Sequence, residues 1–193
     1  MNVVIESFRR DHREAEALLR ALEGECDLFR QAERPDYELI GEIIAHFRSF
    51  LDEYYHPKEE MLFNLTRTQT GLCDSMIDRI ADERAASASS LEALRDALGE
   101  ILNEQRVLRQ TFDDAARGFI QHERRRIEIE EQRLFPELLS VLGPAAWAEL
   151  AAGLRDQREL PRRRGLEERL RARSLWISRE ALADQAERTR PAS

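Results

Sequence analysis

Along most of the chain, apolar residues recur every three or four positions, the spacing that places them on one face of an α-helix. The first pattern predicts a helix over residues 3–31, with Ile5, Phe8, His12, Ala15, Leu19, Leu22 and Cys26 along its stripe. Glu33-Arg34-Pro35-Asp36 breaks it: Pro35 cannot continue a helix and Asp36 is a fair N-cap. A second helix is expected over 37–65, carrying Ile40, Ile44, Phe47, Leu51, Tyr55, Glu59 and Leu62. Pro57 falls inside it and predicts a kink or local distortion. Residues 66–72 (TRTQTGL) read as a loop. A third helix is expected over 73–98, with Met76, Ile80, Glu83, Ser87, Leu91, Leu94 and Leu98 on its stripe. The fourth pattern spans 103–142 through Leu108, Phe112, Ala115, Phe119, His122, Arg126, Glu130, Leu134, Leu138 and Val141. Gly143-Pro144 ends it, and a short fifth helix (AAWAELAAGL) follows. Four long helices with short connections predict an all-α, antiparallel four-helix bundle over residues 1–155.

Residues 156–193 form a separate, Arg-rich extension, expected to be helical or flexible. From Arg155 onward there are eleven Arg against seven acids, a balance of +4 that leaves −12 for residues 1–154. The total of −8 argues against a general nucleic-acid binder. The longest uncharged stretch, 138–148, is eleven residues, too short to span a membrane. The first residues meet charges too soon for a signal peptide. Cys26 and Cys73 form neither a metal-type pair nor a disulfide framework, so a reducing cytoplasm is the expected location. The 30 basic residues include a single lysine, Lys58, and the four histidines are His12, His46, His56 and His122.

The chemistry lies in polar residues at stripe positions: His12 on the first helix, Tyr55 and Glu59 on the second, Glu83 on the third, and His122, Arg126 and Glu130 on the fourth. An unpaired charge in a bundle core costs several kcal/mol, on the order of the whole stability of a domain. This set must therefore be mutually satisfied or bound to something. No nucleophile–base set and no Gly-rich phosphate loop is spelled, so an enzyme is not the first expectation.

DHREAEALL, YYHPKEEMLF and RRIEIEEQRLFP resemble the strongest motifs of the hemerythrin-like (HHE cation-binding) family, and the likeness covers residues 3–155. The resemblance implies a four-helix bundle holding a carboxylate-bridged di-iron centre that handles dioxygen, nitric oxide, peroxide or iron. The family pattern is one His on the first helix, HxxxE on the second, one His on the third and HxxxE on the fourth. Laid on this chain, His12 matches. The second-helix His falls on Tyr55 with Glu59 kept, the third-helix His on Glu83, and the fourth-helix pair on Arg126 and Glu130. A guanidinium stays protonated and cannot ligate a metal.

Two site readings follow. In one, the charge-complementary exchanges replace the di-iron centre with a buried salt-bridge cluster, giving a sensory or structural bundle. In the other, an altered metal site assembles from His12, Tyr55, His56, Glu59, Glu83, His122 and Glu130, with Arg126 turned away; it holds iron or another divalent ion and meets a small diatomic or oxygen-derived ligand. A third reading is an interaction module whose basic extension docks a protein partner. His46 falls on the opposite helix face.

Overall fold

Helix α1 (Val3–Arg30) begins where the Asn2 side chain accepts the amide hydrogens of Val4 and Ile5, at 3.0 and 3.3 Å. These are donors that a helix start leaves open. Asp36 caps α2 (Tyr37–Phe50) in the same way, accepting from the Leu39 amide at 3.0 Å. The remaining helices are α3 (His56–Gln69), α4 (Asp74–Leu102), α5 (Arg109–Ile129), α6 (Phe135–Val141) and α7 (Pro144–Arg155). The computed structural model describes residues 2–31, 33–69, 73–103 and 109–155; the extension 156–193 and the expected stripe residue Leu108 lie outside them.

Two five-residue π turns join these pieces into longer rods. Leu51–Tyr55 links α2 to α3, and Glu130–Leu134 links α5 to α6. In each, the next amide bonds five residues back, His56 to Leu51 and Phe135 to Glu130. A proline then follows, Pro57 or Pro136. Proline has no N–H for the carbonyl four residues back and its ring crowds that carbonyl, so a wider turn just upstream relieves the clash. The distortion expected at Pro57 is thus a π turn. The second one interrupts the helix expected to run unbroken through 103–142.

Side-chain pairs fix the helix directions. Phe29 meets Tyr37 at one end of α1 and Phe8 meets Tyr55 toward the other, so α1 runs antiparallel to α2–α3. Phe29 also meets Phe112, and His12 stacks on Phe135, so α1 is antiparallel to α5–α6. Arg48 pairs with Glu92 and Arg84 with Glu60, which orders α4 against α2–α3. Gly118 of α5 lies against Ser90 of α4, where an added Cβ would come 3.0 Å from the Ser90 hydroxyl. The result is the expected antiparallel four-helix bundle, with the short helix α7 packed on α3 and α1.

Two boundaries differ from the sequence reading. Helix α4 runs through Gly99 to Leu102, because Gly99 faces open space in its last turns. Helix α3 extends to Gln69 through the start of the expected loop, where the buried Thr66 hydroxyl donates back to the Leu62 carbonyl at 2.7 Å. Among the described residues, no helix is long and apolar enough to cross a membrane.

Candidate functional site

On α5 and into the π turn after it, Phe112, Ala116, Phe119, Glu123, Arg126 and Glu130 follow one another by steps of four and three and are all buried. Arg126 is 1% exposed. Its Nη1 donates to Glu130 at 2.7 Å and lies 3.7 Å from Glu59, while Nη2 donates to Glu123 at 2.8 Å. The guanidinium carbon sits 4.4 Å from the centroid of the Tyr55 ring, a cation–π contact. From α4, the Ser87 hydroxyl donates to the second Glu123 oxygen at 2.7 Å. Helices α3, α4 and α5 and both π turns thus converge on one guanidinium.

Helix α1 closes the cluster. His12 Nδ1 donates to Glu131 at 2.8 Å, and Nε2 reaches the Tyr55 hydroxyl at 2.6 Å and Glu130 at 3.1 Å. The Tyr55 hydroxyl donates to the same Glu130 oxygen at 2.5 Å. Burial alone would lower the His12 pKa, but its bonds to Glu130 and Glu131 hold it above the ordinary histidine value. Burial also opposes ionisation of Glu130, yet the Arg126 charge and the His12 bond hold it below the usual carboxylate range. Glu59 goes the other way: burial first, then the Glu130 charge, push it well above that range. It is 0% exposed, accepts no hydrogen bond from Arg126 or Arg84, and shares a side-chain hydrogen bond with Glu130. Arg84, at 3.2 Å, is its outer neighbour.

A second buried ion pair lies beside the first. Lys58 Nζ donates to Asp11 at 2.6 Å and to the Ser7 hydroxyl at 2.7 Å, and sits 4.3 Å from the Phe8 ring centroid. It ties α3 to α1, one residue along from the Glu59 and His12 positions. Burial lowers the Lys58 pKa against the opposing charge of Asp11.

Of the residues singled out in the sequence, His12, Tyr55, Glu59, Arg126 and Glu130 come together. Glu83 and His122 do not join them; they pair with each other at 2.6 Å, partly exposed on the α4–α5 seam. His56 is partly exposed and stays outside the bonded cluster, its Nε2 without a hydrogen bond. Burial, then the charges of Arg84 and Arg126, push its pKa down to about 4. Glu123, Glu131 and the Lys58–Asp11 pair are not singled out by the sequence. Stepping from Phe112 by three then four leads through Ala115 and His122, whereas four then three leads through Ala116 and Glu123. Both paths meet at Phe119 and Arg126, and only the packing against α4 selects the second. Asp11 had a signal as well, three residues beyond Phe8 and four before Ala15.

Arg126 faces into the cluster, contrary to the turned-away position an altered metal site requires, because three carboxylates surround it there. The residues present do not fit the di-iron pattern: three of the four ligand-histidine positions carry Tyr55, Glu83 and Arg126, and the Arg126 guanidinium is bonded to Glu130. No group of three or more His, Cys, Asp or Glu side chains among the described residues is arranged to hold a metal ion.

No curated protein and no solved structure matches the chain. The family model for the hemerythrin HHE cation-binding domain, whose members typically bind iron, matches residues 3–138. That span takes in all four rods and both halves of the buried cluster, and the chain belongs to the hemerythrin HHE cation-binding domain family.

Proposed function

We propose that this chain is a hemerythrin-family bundle that has exchanged its di-iron centre for an internal salt-bridge cluster, and that it works as a sensory or structural helical module rather than as an oxygen carrier. One observation carries this reading: the Arg126 guanidinium is fully buried and bonded to Glu130 and Glu123 in the bundle interior. A guanidinium supplies positive charge but no lone pair, so it offsets the carboxylates without offering a ligand. Its two charge-assisted bonds, the Tyr55 face and the His12 bonds balance the cluster from within.

Metal analysis of the full chain, prepared with iron in excess under low oxygen, tests the reading. The expected content is below about a tenth of an equivalent of any transition metal, with helical content and melting temperature unchanged by a chelator. About two irons per chain with a near-ultraviolet oxo-bridge band would overturn it.

A further inference from the structure

Helix α7 is lightly held. Of its twelve residues only Ala146 and Leu150 are buried, and it packs on α3 and α1. Segments with few buried apolar contacts open locally at low free-energy cost. Gly153 brings α7 close to α3: it has no Cβ, and an added one would run into the Met61 methyl group, with the Met61 sulfur 3.9 Å away. The same Met61 lines a groove of about 370 Å³ between the two helices, with Leu65 and Leu150 as its other apolar walls. Asn64, Thr68 and Glu149 complete the lining and are exposed, and Met61 itself is half-buried, so water and small solutes reach the groove. The thioether thus stands at the wet edge of the contact that seats α7.

We propose that Met61 is an oxidation site for a two-electron oxidant of the peroxide class, and that its sulfoxide releases α7 from α3. The O–O bond of the peroxide breaks, an S–O bond forms, the sulfur gives up two electrons, and hydrogen peroxide leaves as water. The product side chain is polar where the thioether was apolar, so it turns to water and no longer packs on the Gly153 backbone. The two cysteines do not compete for the oxidant. Both are buried, and burial raises both thiol pKa values, that of Cys26 to about 12, so neither offers the thiolate that reacts with a peroxide. Met61 lies outside the ligand positions that the family motifs carry onto this chain. The proposal deepens the sensory reading and rests on it: with no metal in the cluster, the oxidant acts on a side chain.

The test uses the full chain, wild type, Met61→Leu, Met76→Leu and Met61→Gln, with hydrogen peroxide at a level that leaves helical content unchanged. Peptide mass mapping locates the added oxygen, and hydrogen exchange follows residues 144–155. In the wild type Met61 is expected to gain one oxygen, and amide exchange across α7 to quicken by about tenfold or more while α4 and α5 keep their protection. Met61→Leu, a swap of similar volume, is expected to lose that response, and Met76→Leu to keep it. Met61→Gln, polar at the same position, should show fast α7 exchange without oxidant. Met61 remaining reduced in the folded chain, an oxidised Met61 with α7 exchange unchanged, or a full response in Met61→Leu overturns the proposal. Iron bound in the untreated wild type instead overturns the metal-free reading beneath it, so the two failures are separable.

Discussion

Glu59 and Glu130 sit beside the same guanidinium and differ in what else reaches them. Glu130 receives Arg126, Tyr55 and His12, whereas Glu59 has Arg84 at 3.2 Å and Arg126 at 3.7 Å and accepts a hydrogen bond from neither. Removing the charge of Glu130 strands a buried cation, so Glu130→Gln is expected to cost about 3 kcal/mol or more in urea unfolding. Glu59→Gln removes a carboxyl that is already poorly ionised, and should change stability by less than about 1 kcal/mol. Equal losses would show that Glu59 is a full ionic partner. His12 gives a pH signature. Its folded pKa is raised above the ordinary histidine value of about 6.5, so its contribution is complete below that pH and is lost as pH climbs through the folded value. Melting temperature should therefore fall as pH rises above about 6.5, and His12→Gln should flatten that fall; an unchanged slope in the variant would remove His12 as its source. The buried Arg126 is visible in the sequence, because both stripe paths through α5 pass through it. Glu123 is not, because helical periodicity alone leaves two adjacent faces open.

At the scale of elements, the π turns follow from stripe spacing as much as from proline. Phe47, Leu51, Tyr55 and Glu59 are all four apart, as are Arg126, Glu130, Leu134 and Leu138, and all are buried. In a regular α-helix each step of four drifts by about 40°, so three such steps would carry the last residue off the core face. The wider turn absorbs the drift and keeps Tyr55 and Glu130 pointing inward. Both runs are legible in the sequence, but spacing of four is also common on a broad helix face, and only neighbours on both sides turn it into a π turn. Packing therefore holds the turn, and Pro57→Ala, at an exposed position, should shift stability by less than about 1 kcal/mol. Deleting Asp52 takes out the extra residue that the wider turn accommodates, so the turn should close to a regular α-helix, with the residues beyond it still in register and unfolding, followed by circular dichroism, still cooperative. Loss of cooperative unfolding in the deletion variant would show that the turn does more than absorb one residue.

For the whole molecule, helix number, order and direction follow from the hydrophobic pattern and the short connections, since antiparallel neighbours are the arrangement that short links permit. What the pattern leaves out is which polar residues the bundle swallows. Lys58 is the clearest case: the only lysine in the chain is enclosed between α3 and α1, bonded to Asp11 and Ser7. The protein consequently carries a built-in gauge of its own opening. A lysine-specific protease has a single peptide bond to cut, Lys58–Glu59, in the middle of the second rod. Because that bond is exposed only when the bundle comes apart, two-fragment cleavage should report the population of the open chain directly.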